Sequence, residues 1–141
     1  MSAHPGHCLC GAVAYTGKGA FIMQVCHCSG CRRWTGSPAM TLTFDQGIDI
    51  RTPESVRWHR SSDWAERGSC ASCGSALFYR LVESDYINVS AGSLDDQNAI
   101  KQINEHVFIE EKPGHYDFAG DAPRVTGAEV AARFQTPGKP S

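Results

Sequence analysis

Hydrophobic and polar residues alternate along most of this chain in short runs, with the period of two that is typical of β-strands. The runs are rich in Val, Ile, Thr, Tyr, Phe and Trp, which strands favour. Turn-forming segments such as 45–47 and 83–85 separate them. We therefore predict a mainly β, antiparallel fold with strands at 11–16, 39–44, 55–60, 64–69, 76–82, 86–90 and 106–110.

Helical periodicity is minor. Val130 and Phe134 lie four residues apart, which predicts a helix at 128–134 with Thr126 as its N-cap and the Pro-Gly pair at 137–138 as its stop. A weaker helical turn is predicted near 94–100. Residues 135–141 hold two prolines, one glycine and no sizeable apolar side chain, so we expect a disordered tail after a single domain at 1–134.

The composition narrows the class of protein. Of 141 residues, 41% are hydrophobic and 20% are charged, which is typical of a globular domain and not of a disordered chain. The apolar runs are far shorter than the roughly 18 to 20 residues that span a bilayer, so we expect no membrane segment. The chain has 13 basic and 15 acidic residues, and the basic ones form no stripe, so we expect no nucleic-acid partner.

All seven cysteines fall into three groups, at 8–10, 26–31 and 70–73. Residues 1–7 have neither the basic nor the apolar region of a signal peptide, which indicates a cytoplasmic, reducing environment. Clustered cysteines in that setting bind metal more often than they pair with each other.

Two of the groups share a further mark, because Gly11 follows Cys10 and Gly74 follows Cys73. A glycine there adopts positive φ easily and lets backbone N–H groups turn toward bound thiolates. We interpret these two groups as halves of one closed, tetrahedral zinc site, the sulfur quartet, although free buried cysteines or a disulfide remain alternatives. Its members are Cys8, Cys10, Cys70 and Cys73.

The remaining three cysteines, the sulfur trio, are Cys26, Cys28 and Cys31. Three thiolates are the ligand count of a zinc ion with an open coordination position, where chemistry occurs. A redox disulfide and weak metal binding remain alternatives. His27 lies between Cys26 and Cys28, and His7 precedes Cys8, but neighbouring side chains on extended backbone point in opposite directions, which argues against metal coordination by either histidine.

The ordered set of motifs resembles the glutathione-dependent formaldehyde-activating enzyme family. The residues that carry the resemblance are Cys-x-Cys-Gly at 8–11, Cys-His-Cys-x-x-Cys-Arg at 26–32 and Cys-x-x-Cys-Gly-Ser at 70–75. It continues through Gly-x-Leu-Asp within 90–96 and His-Val-Phe at 106–108. One departure lies at 112–116, Lys-Pro-Gly-His-Tyr, where many members place a tryptophan.

The resemblance implies a β-tent type fold, a structural zinc at the quartet and a catalytic zinc at the trio. It implies a carbon–sulfur lyase that condenses glutathione with formaldehyde or another small aldehyde. Arg32 and Arg33 are candidates for binding the carboxylates of glutathione, and Trp34 for a wall of its pocket; surface charges and a core aromatic are the alternatives. The competing classes are a non-catalytic zinc-braced binding module, a thiol carrier and a redox switch.

Overall fold

The structure is a computed structural model that describes residues 2–134. It is mainly β with two short helices. In chain order the elements are β1 (Ala3–His7), β2 (Ala14–Lys18), β3 (Phe21–Cys26), α1 (Ser29–Thr35), β4 (Ala39–Phe44), β5 (Ile48–Ile50), β6 (Val56–Arg60), β7 (Ala65–Cys70), β8 (Ala76–Leu81), β9 (Ile87–Ser90), β10 (Glu105–Val107), β11 (Arg124–Val125) and α2 (Gly127–Arg133).

The strands form two sheets. A three-stranded antiparallel sheet has the order β1-β2-β5, and an eight-stranded sheet has the order β11-β10-β3-β4-β9-β8-β7-β6. In the larger sheet β10 runs parallel to both β3 and β11, while the other strand pairs of that sheet are antiparallel. No helix among residues 2–134 is long and apolar enough to cross a membrane.

One face of the large sheet packs against the small sheet to form the core. Tyr15 of β2 meets Phe78 of β8 edge to face at 5.7 Å, and both rings are buried. Leu42, Val25 and Val89 belong to the same cluster and are fully buried. Among the described residues no second sheet covers the other face of the large sheet, which forms the floor of the cavity described below.

The mainly β prediction is confirmed, and the predicted strands recur with shifted ends. Strand 39–44 has the predicted bounds, and the helix predicted at 128–134 is α2. Thr126 is its N-cap, with Glu129 completing a capping box. The turn predicted near 94–100 is a single 3₁₀ turn, Gln97–Ala99. The predicted single domain at 1–134 stays a prediction, and the tail at 135–141 lies outside the described residues.

One predicted strand boundary was wrong, and one strand departs from the antiparallel pattern. Most strand pairs are antiparallel, as predicted, but β10 comes from a distant part of the chain and pairs with β3 in parallel. The strand predicted at 106–110 ends at Val107, because Phe108 adopts a left-handed backbone with φ 55° and a 3₁₀ turn, Ile109–Glu111, follows.

Strands β3 and β1 were not predicted from the hydrophobic pattern, and their residues explain why. β3 carries apolar residues on both faces, with Met23 and Val25 in the core and Ile22 lining the cavity, so no clean alternation is visible. β1 contains Pro5 and Gly6, which are poor strand formers. Gly6 is required there because a Cβ would lie 2.3 Å from the Tyr15 ring.

The Glu105 carboxylate joins three elements at one end of the large sheet. It accepts hydrogen bonds from both terminal nitrogens of Arg133 in α2, at 2.6 and 2.9 Å, and one from Gln24 in β3. Its side chain is only 13% exposed. The Arg133 guanidinium is the main reason that the pKa of this carboxyl lies below its usual range.

We expect Glu105→Gln to destabilise the protein at pH 7 and to do so progressively less as the pH falls below about 4.5. The depressed pKa means that the carboxylate stabilises the folded state above the pKa of the unfolded chain and loses this contribution on protonation. Urea unfolding at pH 7 and pH 3.5 measures the difference. Glu54→Gln, at an exposed carboxyl, is the control. An equal loss of unfolding free energy at pH 7 and pH 3.5 would contradict the lowered pKa of Glu105.

Candidate metal centres and cavity

The quartet sulfurs converge on one point. Cys8 and Cys10 follow β1, and Cys70 and Cys73 flank the turn between β7 and β8. The four sulfur atoms lie within 4.8 Å of one another. The Cys8–Cys10 and Cys10–Cys70 sulfur distances are both 3.7 Å. A tetrahedral zinc ion with bonds of about 2.3 Å separates its ligands by about 3.8 Å, so the quartet fits that ion and is too open for a disulfide.

Backbone geometry explains this convergence. Gly11 and Gly74 have φ angles of 85° and 80°, as predicted from their positions after the second cysteine of each pair. The turns they complete direct the N–H of Val13 at the Cys8 sulfur, 3.3 Å away, and two N–H groups at the Cys70 sulfur. These donors disperse the negative charge of bound thiolates. The Ser75 side-chain and backbone hydrogen bonds lower the pKa of Cys73 to about 5.

The trio lies where β3 meets α1. Cys26 is the last residue of β3, Cys28 is the N-cap of α1 and Cys31 lies in its first turn. The Cys31 N–H donates to the Cys28 sulfur at 3.3 Å, so the cap that starts the helix also brings the two sulfurs together. All three sulfur atoms lie within 4.8 Å of one another, and all three cysteines are free.

Hydrogen bonds within the trio shift the pKa values of its thiols in opposite directions. Hydrogen bonds from Cys26 and Cys31 are the main reason that the pKa of Cys28 lies far below its usual range. The same contacts raise the pKa of Cys26. The three thiols therefore titrate as a group, and a bound divalent cation would favour their thiolate forms.

A cavity of about 1060 Å³ opens beside the trio. The uncovered face of the large sheet forms its floor, and α1 and α2 border it. Aromatic side chains line much of it, among them Trp34, Tyr79, Tyr86 and Phe134. All three cysteines of the trio line this cavity, whereas Cys8 is the quartet cysteine that lines a second, smaller cavity of about 650 Å³. The trio therefore faces the larger space, and the division into a closed and an open metal centre stays a prediction.

The residues predicted to bind the thiol divide into two groups. Arg33 and Trp34 line the cavity, and Arg33 makes no ion pair or side-chain hydrogen bond with the described residues. Arg32 does not line the cavity; its Nε donates to the His27 carbonyl at 3.0 Å. The glutathione-binding role of all three stays a prediction.

His27 is fully buried and faces away from the trio. Its Nε2 lies 2.9 Å from Nδ1 of His106, and its Nδ1 lies 2.7 Å from the Tyr116 hydroxyl. Burial lowers the pKa of His27 to about 4, so the ring is neutral at pH 7. Its backbone N–H donates to Val107 of β10. His27 thus ties the loop of the trio to β10. His7 instead pairs with Asp95 at 2.8 Å.

Sequence reasoning missed Arg67 of β7. Its Nη1 lies 3.7 Å from the Cys31 sulfur, and its guanidinium lies over the Trp34 and Tyr79 rings at 5.3 and 5.0 Å. The alternation of β7 predicts which face Arg67 occupies, but no local signal shows that this face meets the trio.

The fold and these centres define a mainly β protein with two groups of cysteines that can hold metal ions. The family model described as glutathione-dependent formaldehyde-activating enzyme matches residues 3–111. An uncharacterized lyase of Schizosaccharomyces pombe is 32% identical over 139 residues, covering 92% of this chain and 96% of that protein. The crystal structure of a Rhodobacter sphaeroides protein gives a TM-score of 0.52 at 19% identity, covering 85% of this chain and 98% of that chain.

The chain belongs to the glutathione-dependent formaldehyde-activating enzyme family, because the family model matches well over half of its length. This confirms the resemblance stated from the motifs. The family and the relative, which is named a lyase, support a lyase of this type. The Rhodobacter sphaeroides structure supports the fold alone.

We expect native mass spectrometry to find two zinc ions in the wild-type protein and one in either Cys28→Ser or Cys73→Ser. Cys73→Ser removes a ligand of the closed centre and lowers the melting temperature by about 10 °C or more, since a structural zinc site contributes several kcal/mol to folding. Cys28→Ser changes the melting temperature far less. Equal losses of stability in the two variants would contradict the division between a closed and an open centre.

Proposed function

We propose that this protein is a zinc-dependent enzyme of the carbon–sulfur lyase class, which condenses glutathione or a related thiol with formaldehyde or another small aldehyde. The observation that carries the proposal is the convergence of three cysteine sulfurs beside a large cavity. The family supplies the reaction type. A reducing compartment such as the cytoplasm suits it, because all seven cysteines are free thiols.

Cys26, Cys28 and Cys31 would hold the catalytic zinc ion, and the quartet a structural one. At the trio the ion would supply an open position that deprotonates a thiol and polarises a carbonyl oxygen. The reaction is balanced without an oxidant: the thiol S–H and the carbonyl π bond are lost, and a C–S bond and an O–H bond form.

The protein's own side chains bind and orient the substrate. Arg33 lines the cavity close to Cys31 in sequence and has its guanidinium free for a carboxylate of glutathione. Trp34 and Tyr79 give the cavity an apolar wall, which excludes water around the reacting sulfur and strengthens electrostatic interactions there. Arg32 orients the loop of the trio through the His27 carbonyl.

We expect Cys28→Ser to abolish the zinc-dependent rate above the spontaneous reaction of glutathione with formaldehyde. Exchange NMR spectroscopy between hydrated formaldehyde and S-hydroxymethylglutathione measures both rates in one sample. Circular dichroism shows whether the variant is folded. A wild-type rate no greater than the spontaneous one, together with tight glutathione binding, would refute the enzyme and favour a thiol carrier.

We expect Arg33→Gln to raise KM for glutathione about tenfold with little change in kcat, because a charge-assisted hydrogen bond contributes about 1.5 to 3 kcal/mol and part of it is lost to solvent. 2-Mercaptoethanol, which has no carboxylate, serves as the internal control, and its KM should not change. A similar rise for both thiols would show that Arg33 shapes the cavity and does not recognise a carboxylate.

A further inference from the structure

Arg67 is the charged side chain that reaches the trio from the floor of the cavity. It projects from the middle of β7, where it faces Tyr79 of β8 across the strand pair. Its Nη1 lies 3.7 Å from the Cys31 sulfur, within hydrogen-bond range of a sulfur acceptor. The contact joins two segments 36 residues apart, so the sheet and not the local loop determines where this cation sits.

The guanidinium is held on several sides. The rings of Trp34 and Tyr79 lie 5.3 and 5.0 Å from its central carbon. A Cβ at Gly30 would lie 3.1 Å from Nη2 of Arg67. The glycine therefore gives the guanidinium room beside the trio. An arginine stacked in this way loses little further conformational freedom when it donates a hydrogen bond, which suits a positioning role.

The negative charge of a metal-bound trio explains why a positively charged side chain is useful beside it. Three thiolates around a divalent ion carry a formal charge of −1, and a thiolate as fourth ligand brings the group to −2. In the partly buried surroundings of the trio such a charge is costly unless an opposite charge lies nearby. The guanidinium of Arg67 offsets one unit of this negative charge at the Cys31 sulfur. A neutral fourth ligand adds no charge and therefore depends on Arg67 much less.

We propose that Arg67 is a positioning residue that holds the Cys31 sulfur and makes the open centre selective for an anionic fourth ligand, specifically the thiolate of the substrate. The inference rests on the proposed function, because it assumes that the trio holds a metal ion. It goes beyond that function in assigning the preference for a thiolate to a residue outside the cysteine motifs.

The first experiment measures metal affinity with Arg67→Gln and a matched control. Arg80→Gln removes a similar arginine, which lies 3.6 Å over Trp58 and pairs with Glu66, away from both centres. Zinc competition with a chromogenic chelator should show one of two zinc equivalents bound 10- to 100-fold more weakly in Arg67→Gln, and neither changed in Arg80→Gln. Equal effects of the two substitutions would overturn the proposal.

The second experiment measures ligand selectivity in the cobalt-substituted protein. The visible absorption of cobalt follows the binding of 2-mercaptoethanol as the anionic ligand and of imidazole as the neutral one. We expect Arg67→Gln to weaken thiolate binding about tenfold and imidazole binding much less. Equal weakening of both ligands would show that Arg67 acts only on the shape of the site and would overturn the proposed selectivity.

Two further variants keep the test decisive if Arg67→Gln folds poorly. Arg67→Lys keeps the charge and should recover much of the thiolate preference. Gly30→Ala keeps Arg67 but pushes its guanidinium aside by a few tenths of an ångström, and should reduce the preference less than Arg67→Gln does. No recovery with lysine and no effect of Gly30→Ala would together overturn the proposal. A wild-type protein that binds a single zinc ion would refute the proposed function itself, whereas two ions with unchanged selectivity in the Arg67 variants would refute this inference alone.

Discussion

The quartet brings the end of β1 together with the turn between β7 and β8, and two of its cysteines, Cys10 and Cys70, are 60 residues apart in the chain. A metal ion bound by these four sulfurs would fasten the small sheet to one face of the large sheet. Cys8 and Cys70 are themselves part of the buried core cluster that the sheets share. Tyr15 and Phe78 belong to the same cluster, so the core of the protein and the quartet share their packing.

Because one face of the large sheet is used for the core, its other face is free to form a binding cavity. β3 shows the division most clearly: Met23 and Val25 face the core, whereas Ile22, Gln24 and Cys26 line the cavity. Strand β7 contributes to both regions, with Cys70 in the core and Arg67 beside the trio. The closed centre and the open centre are thus linked by a single strand of six residues.

The sequence was most informative where chemistry is local. The spacing of the cysteines predicted the trio, which depends on a tight turn between close neighbours. The glycines at 11 and 74 marked the two distant cysteine pairs as matching halves and so predicted the quartet. Strand positions followed from alternation wherever one face was polar. Alternation failed at β3, whose cavity face is also apolar, and at β10, whose parallel pairing depends on a distant segment. The contacts that Arg67, His106 and Tyr116 make with the loop of the trio could not be predicted for the same reason, since only tertiary packing brings these residues together.

His27 has a consequence for the order in which the chain assembles. Its ring and backbone are satisfied by His106, Tyr116 and Val107, all of which are synthesised about 80 to 90 residues later. On the ribosome, Cys26, Cys28 and Cys31 emerge long before β10 is available to fix the loop between them. The three neighbouring thiols therefore emerge before the contacts that hold their loop in place can form.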